Sequence, residues 1–190
     1  VSLVILHGTE HAWLAEAALA EIQSSAGSYS LKRTGKGVAF TAAMALSDHP
    51  TDIRVSIVAC YVLQWVMLRR DGVSPQGVAE VLANEGFAVS LVIEALLMFD
   101  VEGGPVSDHQ RHLLERGVAV IRHVVVPNSQ GHRQQRAIEQ VASSGGIEAL
   151  VRAMRRLPPA RDGVESDVGH LWGCEALRAI ANSDERRLRA

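Results

Sequence analysis

Internal repetition is the feature that most constrains the fold of this chain. Four segments share one plan, in which a polar stretch is followed by a glycine and then by an apolar run of helical length. The glycines are Gly37, Gly86, Gly117 and Gly146, which lie 49, 31 and 29 residues apart. A glycine suits the end of a helix because it adopts a left-handed backbone at little cost. The pattern therefore predicts short helices that repeat along the chain.

A second correspondence links the first and the last of these segments. Each continues through a proline-containing turn into a longer and more apolar stretch. When Cys60 is aligned with Cys174, Leu63 falls on Leu177. Proline is excluded from helix interiors, so the two turns are firm boundaries. Each segment is therefore expected to pair a shorter helix with a longer, more buried one.

Start and end signals divide the chain into about ten short helices. Ser107 and Gln110 have the spacing of a capping box, and Ser74 before Pro75 is typical of an N-cap and a first helical residue. The helices are expected near residues 10–24, 37–47, 52–70, 75–84, 87–99, 107–115, 117–125, 131–143, 146–157 and 166–182. The evidence for strands is thin, so the predicted fold class is all-α.

The chain is expected to form one helical domain over residues 1–190. Its length is sufficient for one core, and 47% hydrophobic residues with only 4% aromatic ones predict a core of Ala, Val, Leu and Ile. The repeated pattern divides the domain into units. These are 31–84, 85–115, 116–144 and 145–190, with 1–30 as a partial N-terminal repeat or cap.

Two phrases near the C-terminus resemble armadillo repeats. They are GGIEALVRAM at 145–154 and WGCEALRAIAN at 172–182, which a proline turn separates. In armadillo repeats the second helix opens with Gly-Gly-Ile and the third has a core of small residues, Ala and Leu. ACYVLQWV at 59–66 and LLERGVAVI at 113–121 are similar to the same family.

The resemblance covers residues 31–182 and implies an α-solenoid of stacked helices that binds other proteins. Between 86 and 145 the glycine spacing leaves room for two helices in a unit, not three. That middle region is equally similar to HEAT repeats.

The family comparison also implies where a partner would bind. Armadillo proteins of the nuclear-import type hold extended peptides with a ladder of Asn and Trp on the third helix. Trp65 and Ala179 stand where this ladder has Asn, so an import receptor is not expected. The weakly predicted partner-binding residues are Gln64, Trp65, Trp172, Glu175, Arg178 and Asn182. The two tryptophans have an alternative role as buried spacers between repeats.

One motif suggests catalysis. His7, Glu10 and His11 match the inverted zinc-protease pattern H-x-x-E-H. However, Gly8 and Thr9 are typical of a helix start, which would leave His7 outside the helix that must carry both ligands. A zinc hydrolase is therefore only a remote alternative.

The other candidate residues have simpler structural roles. His109 and His112 are three residues apart on a predicted helix, but no Cys or acidic ligand completes a recognisable metal site. Cys60 and Cys174 are interpreted as small core residues at equivalent repeat positions. We therefore expect no catalytic residue, no metal and no cofactor.

Charge is unevenly distributed along the chain. The first 102 residues have a net charge of −5 and the last 88 a net charge of +3, and seventeen of the nineteen basic residues are arginine. Because arginine pairs bidentately with carboxylates, an acidic protein partner is one hypothesis for the C-terminal half, and an ordinary solvated surface is the other. The charge is too dispersed for the focused basic patch that nucleic acid requires, so nucleic-acid binding is not expected.

The apolar runs and cysteines bear on location. The longest apolar runs, 55–68 and 87–99, are shorter than the ~20 residues of a membrane span. Two cysteines are too few for a disulfide framework, which favours a reducing compartment. The expected location is intracellular, in the cytoplasm or in a mitochondrial assembly.

The predicted function is a non-catalytic scaffold or a structural subunit of a larger protein assembly. The alternative keeps the solenoid but makes it a regulatory domain that acts on a small GTPase or another signalling partner.

Overall fold

The structure is a computed structural model that describes residues 35–69, 72–73, 75–99, 104–126, 135–157 and 168–188. These residues are helical apart from one short antiparallel pair of strands, in which Leu68 pairs with Val73. The elements are α1 (Gly35–Asp48), α2 (Ile53–Met67), β1 (Leu68–Arg69), β2 (Gly72–Val73), α3 (Pro75–Val81), α4 (Ala83–Met98), α5 (Asp108–Val125), α6 (Gln135–Ser143), α7 (Gly146–Arg156) and α8 (Val168–Leu188). The predicted all-α fold class is confirmed.

The described ranges contain eight helices, whereas ten were predicted for the whole chain. The helix predicted near 10–24 lies outside the described residues. The helices predicted at 107–115 and 117–125 are one continuous helix, α5, so the predicted break at Gly117 is wrong. A Cβ on Gly117 would lie 2.7 Å from Cδ2 of Leu96. The glycine therefore allows α5 to approach α4 closely and does not form a turn.

Of the four glycines in the pattern, only Gly86 has the predicted left-handed backbone, and beside Gly146 it is the neighbouring Gly145 that has it. Gly86 has a φ of 72° and Gly145 a φ of 82°. Gly145 is the N-cap of α7, directly before the predicted Gly146. Gly86 lies within the first turns of α4, which begins at Ala83, four residues earlier than expected.

Side chains cap two of the long helices. Asp52 begins α2 by accepting a hydrogen bond from the backbone N–H of Arg54 at 2.9 Å. The predicted capping box at the start of α5 is confirmed. Ser107 Oγ accepts from the backbone N–H of Gln110 at 3.2 Å, and Gln110 Oε1 accepts from the backbone N–H of Ser107 at 2.9 Å. Both caps satisfy backbone donors that the helix itself leaves unpaired.

Four of the helices pack against the helix that follows three places later in the chain, an arrangement that we call the register of three. α2 packs against α5 and α5 against α8, while α1 packs against α4 and α4 against α7. α6, α7 and α8 also contact one another, whereas α3 packs mainly against α1 and α2 and less against α4. In the described part of the chain, α2, α5 and α8 therefore form one row of helices, and α1, α4 and α7 form a second. α5 continues across the predicted boundary between residues 115 and 116.

The core has the composition that the sequence predicts. Its largest fully buried side chains are Leu63, Met67, Ile93, Leu96, Leu113, Ile121, Leu150, Val55, Val62 and Val81. Among the described aromatic residues none is fully buried, although Trp65, Phe99 and Trp172 pack against the core. No helix in the described ranges is long and apolar enough to cross a membrane.

Candidate protein-interaction surface

The residues that the sequence predicts for partner contact lie on α2 and α8, and α5 lies between these helices. α5 packs against both of them. Buried polar side chains at such contacts are stabilised only if they find hydrogen-bond partners. Two polar junctions, one on each side of α5, contain hydrogen bonds between these helices.

The first junction joins α2 to α5 through Gln64. This side chain is buried, with 7% of its surface exposed. Its Oε1 accepts a hydrogen bond from Nη1 of Arg116 at 3.2 Å. The same guanidinium lies over the ring of Tyr61, with 3.9 Å between Cζ and the ring centroid. Gln64 therefore already has a partner within the chain itself, on α5.

The second junction joins α5 to α8 through Glu175. Oε2 of Glu175 accepts a hydrogen bond from Nε of Arg122, and the two groups form a partly exposed salt bridge. Beside it, the rings of His123 and Trp172 are tilted by 52° with their centroids 6.3 Å apart. Glu175 and Trp172 are thus used, like Gln64, in contacts between long helices.

His123 is the most perturbed titratable group at this junction. It is 5% exposed, and burial lowers its pKa to about 4, helped by the charge of Arg122 and opposed by Glu175. Its Nδ1 lies 3.2 Å from Nη1 of Arg122. Its Nε2 is buried without a hydrogen-bond partner among the described residues. A neutral imidazole is therefore favoured here at neutral pH.

The remaining predicted residues differ in exposure. Trp65 is half-buried and packs against the core. Arg178 and Asn182 are exposed on α8. The structure therefore brings Trp172 and Glu175 to one junction and Gln64 to another, and leaves Arg178 and Asn182 open to solvent.

Aligned positions on α2 and α8 differ sharply in burial. Cys60 is fully buried, and this burial raises the pKa of its thiol to about 12. Cys174, its aligned counterpart, is exposed. The same alignment pairs buried Gln64 with exposed Arg178. This difference in burial follows from packing, because α5 covers α2. The helices that pack extensively on α8 are α5, α6 and α7.

A glycine pair extends this alignment to α5. A Cβ on Gly117 would meet Leu96 of α4, and a Cβ on Gly173 would meet Sδ of Met154 on α7. Each glycine thus lies where a long helix closely approaches the helix before it. When Gly117 is aligned with Gly173, Arg122 of α5 corresponds to Arg178 of α8.

The side of α8 that no other described helix covers is the main candidate surface, which we call the α8 end face. It consists of Leu171, Cys174, Arg178 and Ala181, all exposed and spaced so that they share one side of the helix. Leu171 has 58% of its surface exposed, the highest value among the exposed large hydrophobic residues. The sequence predicted Arg178 but not Leu171, and the assignment of Cys174 to the core was wrong, because Cys174 is exposed.

A second open feature is a groove along α7. It has a volume of about 650 Å³, and its lining includes the apolar residues Ile147 and Val151. Arg152, Arg155 and Arg156 line it. Arg152 pairs with Glu148 at 2.6 Å in an exposed salt bridge. An acidic partner was hypothesised for the C-terminal half of the chain, and these three arginines lie in that half.

The residues of the zinc-hydrolase alternative, His7, Glu10 and His11, lie outside the described residues. His109 and His112 are exposed near the start of α5. Within the described part of the chain, no group of three or more His, Cys, Asp and Glu residues could hold a metal ion.

Comparisons with protein-family models, with curated proteins and with solved structures return no match for this chain.

Proposed function

We propose that this protein is a non-catalytic scaffold or a structural subunit of a larger assembly, built as an armadillo-like solenoid. The observation that carries the proposal is the register of three, in which α2 packs against α5 and α5 packs against α8. In a solenoid, units contact only their neighbours, so the surface is long relative to the mass. Such a surface suits the recognition of another polypeptide.

The exposed residues support a protein partner. The α8 end face combines a large exposed aliphatic residue, Leu171, with the charged Arg178. Protein interfaces combine apolar anchors with arginine, which is enriched in them. Small-molecule sites are enclosed pockets, whereas the groove along α7 is an open surface feature.

Native purification tests this proposal. The full chain, tagged at one terminus, would be purified gently from its source and analysed by size-exclusion chromatography and mass spectrometry. We expect it to elute with another protein in fixed stoichiometry, and the tag alone is the control. Elution of the chain by itself under all gentle conditions would contradict the proposal.

The same measurement separates the two kinds of binding role. Recovery in one large complex of constant composition supports the structural subunit. Recovery with a small GTPase, in an amount that depends on the bound nucleotide, supports the regulatory alternative.

A further inference from the structure

We propose that the α8 end face binds an α-helix of a partner protein that presents a glutamate to Arg178 and small or aliphatic residues to Leu171, Cys174 and Ala181. This inference rests on the proposed function, because it specifies the partner that such a scaffold would hold. Contacts that the chain makes within itself support it.

One aligned position contacts the next helix of the series α2, α5 and α8 in two places, although the partner position differs. On α2, Gln64 is buried and bonded to Arg116 of α5. On α5, Arg122 forms its salt bridge with Glu175 of α8. At the aligned position of α8 stands Arg178, which is exposed. In both internal cases this position contacts the next long helix, so the occupant expected beside Arg178 is also a helix.

The charge of Arg178 specifies the acidic residue of that helix. An arginine at the aligned position of α5 takes a carboxylate, that of Glu175. Arginine is well suited to carboxylates because its planar guanidinium donates two parallel hydrogen bonds. A glutamate on the partner helix would repeat this pairing.

The apolar residues specify the rest of that helix. Val118 of α5 and Cys60 of α2 are aligned with Cys174, and both are fully buried. Leu63 is fully buried, whereas its counterpart Leu177 is half-buried. Covering Leu171 and its neighbours would remove apolar surface from water, which favours small or aliphatic side chains on the partner.

A peptide with the sequence of residues 168–183 provides a defined probe. It carries the glutamate that pairs with Arg122 in the intact chain. Because short isolated helices are marginally stable in water, the peptide would be cross-linked on its solvent-facing side. Binding to the full chain would be followed by fluorescence anisotropy, and the contacted residues by backbone amide chemical shifts in NMR.

We expect saturable binding with shifts centred on the α8 end face. Arg178→Glu should weaken binding at least about fivefold, because it replaces a charge-assisted pair with a repulsive one. The Glu175→Arg version of the peptide should restore binding to that variant. Leu171→Asp should weaken binding further, and the exposed Arg136→Glu on α6 is the matched control that should leave it unchanged.

Other outcomes would overturn the inference. Peptide binding that neither Arg178→Glu nor Leu171→Asp weakens would assign the contact to another surface. Chemical-shift changes centred on the groove along α7 would do the same. Self-association of the chain that Leu171→Asp abolishes would make a second copy the occupant. If the natural partner still co-purifies with the Leu171→Asp, Arg178→Glu double variant, this inference fails while the scaffold proposal stands.

Discussion

At the scale of single residues, Gly145 tests how much one backbone conformation contributes to stability. It has a φ of 82° before α7, and a Cβ there would meet only Cδ1 of Leu97 at an ordinary 3.8 Å. Gly145→Ala should therefore lower the free energy of unfolding by about 1 kcal/mol through backbone strain alone. Urea denaturation measures the change. Gly145→Asn is the control and should lower the free energy of unfolding by less, since asparagine tolerates the left-handed region. An alanine variant as stable as the parent would contradict the expectation.

His123 predicts a pH dependence of stability. Burial holds its folded-state pKa at about 4, below the ordinary 6.5 that we take for the unfolded chain. The unfolded state therefore binds the proton more readily. The neutral His123 stabilises the folded state relative to the unfolded state fully above pH 6.5, and this stabilisation is lost as the pH falls towards 4. The expected loss between pH 7 and pH 5 is about 2 kcal/mol.

Chemical denaturation at several pH values would measure this loss. His123→Gln is the control, because it keeps a polar side chain of similar size without a titrating ring. The variant should have a flatter profile over the same interval. An unchanged profile would assign the pH dependence to other groups.

At the scale of elements, Gly117 determines how closely α5 approaches α4. Alanine is favoured over glycine in a helix by about 1 kcal/mol, but here its Cβ would meet Leu96, which is only 1% exposed. Overpacking in a core typically costs about 1–3 kcal/mol. Gly117→Ala should therefore destabilise the protein by about 1 kcal/mol, the middle of the range that the difference between the two effects gives.

A double-mutant cycle separates the two effects. Leu96→Ala opens space beside Gly117, so the alanine substitution should become neutral or stabilising in that background. Thermal or urea unfolding of the four proteins gives the coupling. Equal costs in both backgrounds would mean that the two helices are not in close contact at this point.

Helix formation could be predicted largely from the sequence because its signals are local. Ser107 and Gln110 are three residues apart, and their capping box is present as expected. Gly117 was misinterpreted because a glycine that ends a helix and a glycine that admits a neighbouring helix look the same in sequence. The distinction depends on Leu96, on another helix.

At the scale of the whole molecule, the register of three predicts two cysteines of very different reactivity. Cys60 is buried and has a pKa raised to about 12, whereas Cys174 is exposed. Because the thiolate is the reactive form, the native chain should react rapidly at Cys174 and at Cys60 only after unfolding. Timed labelling with a thiol reagent and mass spectrometry measures both rates. Rapid labelling of both sites in the folded chain would show that α5 does not cover α2.

The junctions between long helices could not be predicted from sequence. Gln64 and Arg116 are 52 residues apart, and Arg122 and Glu175 are 53 apart. Gln64 and Glu175 were selected as polar residues on long helices, but nothing local indicates that each already has a partner in the chain. Only the packing order of α2, α5 and α8 reveals it.

The contrast between the two thiols also has a practical consequence. A maleimide dye added to the folded, unmodified protein would attach at one defined position, on the helix side that carries Leu171 and Arg178. No engineered cysteine is needed. Because the dye would occupy the α8 end face itself, the labelled chain should lose the binding of a partner helix that the unlabelled chain shows.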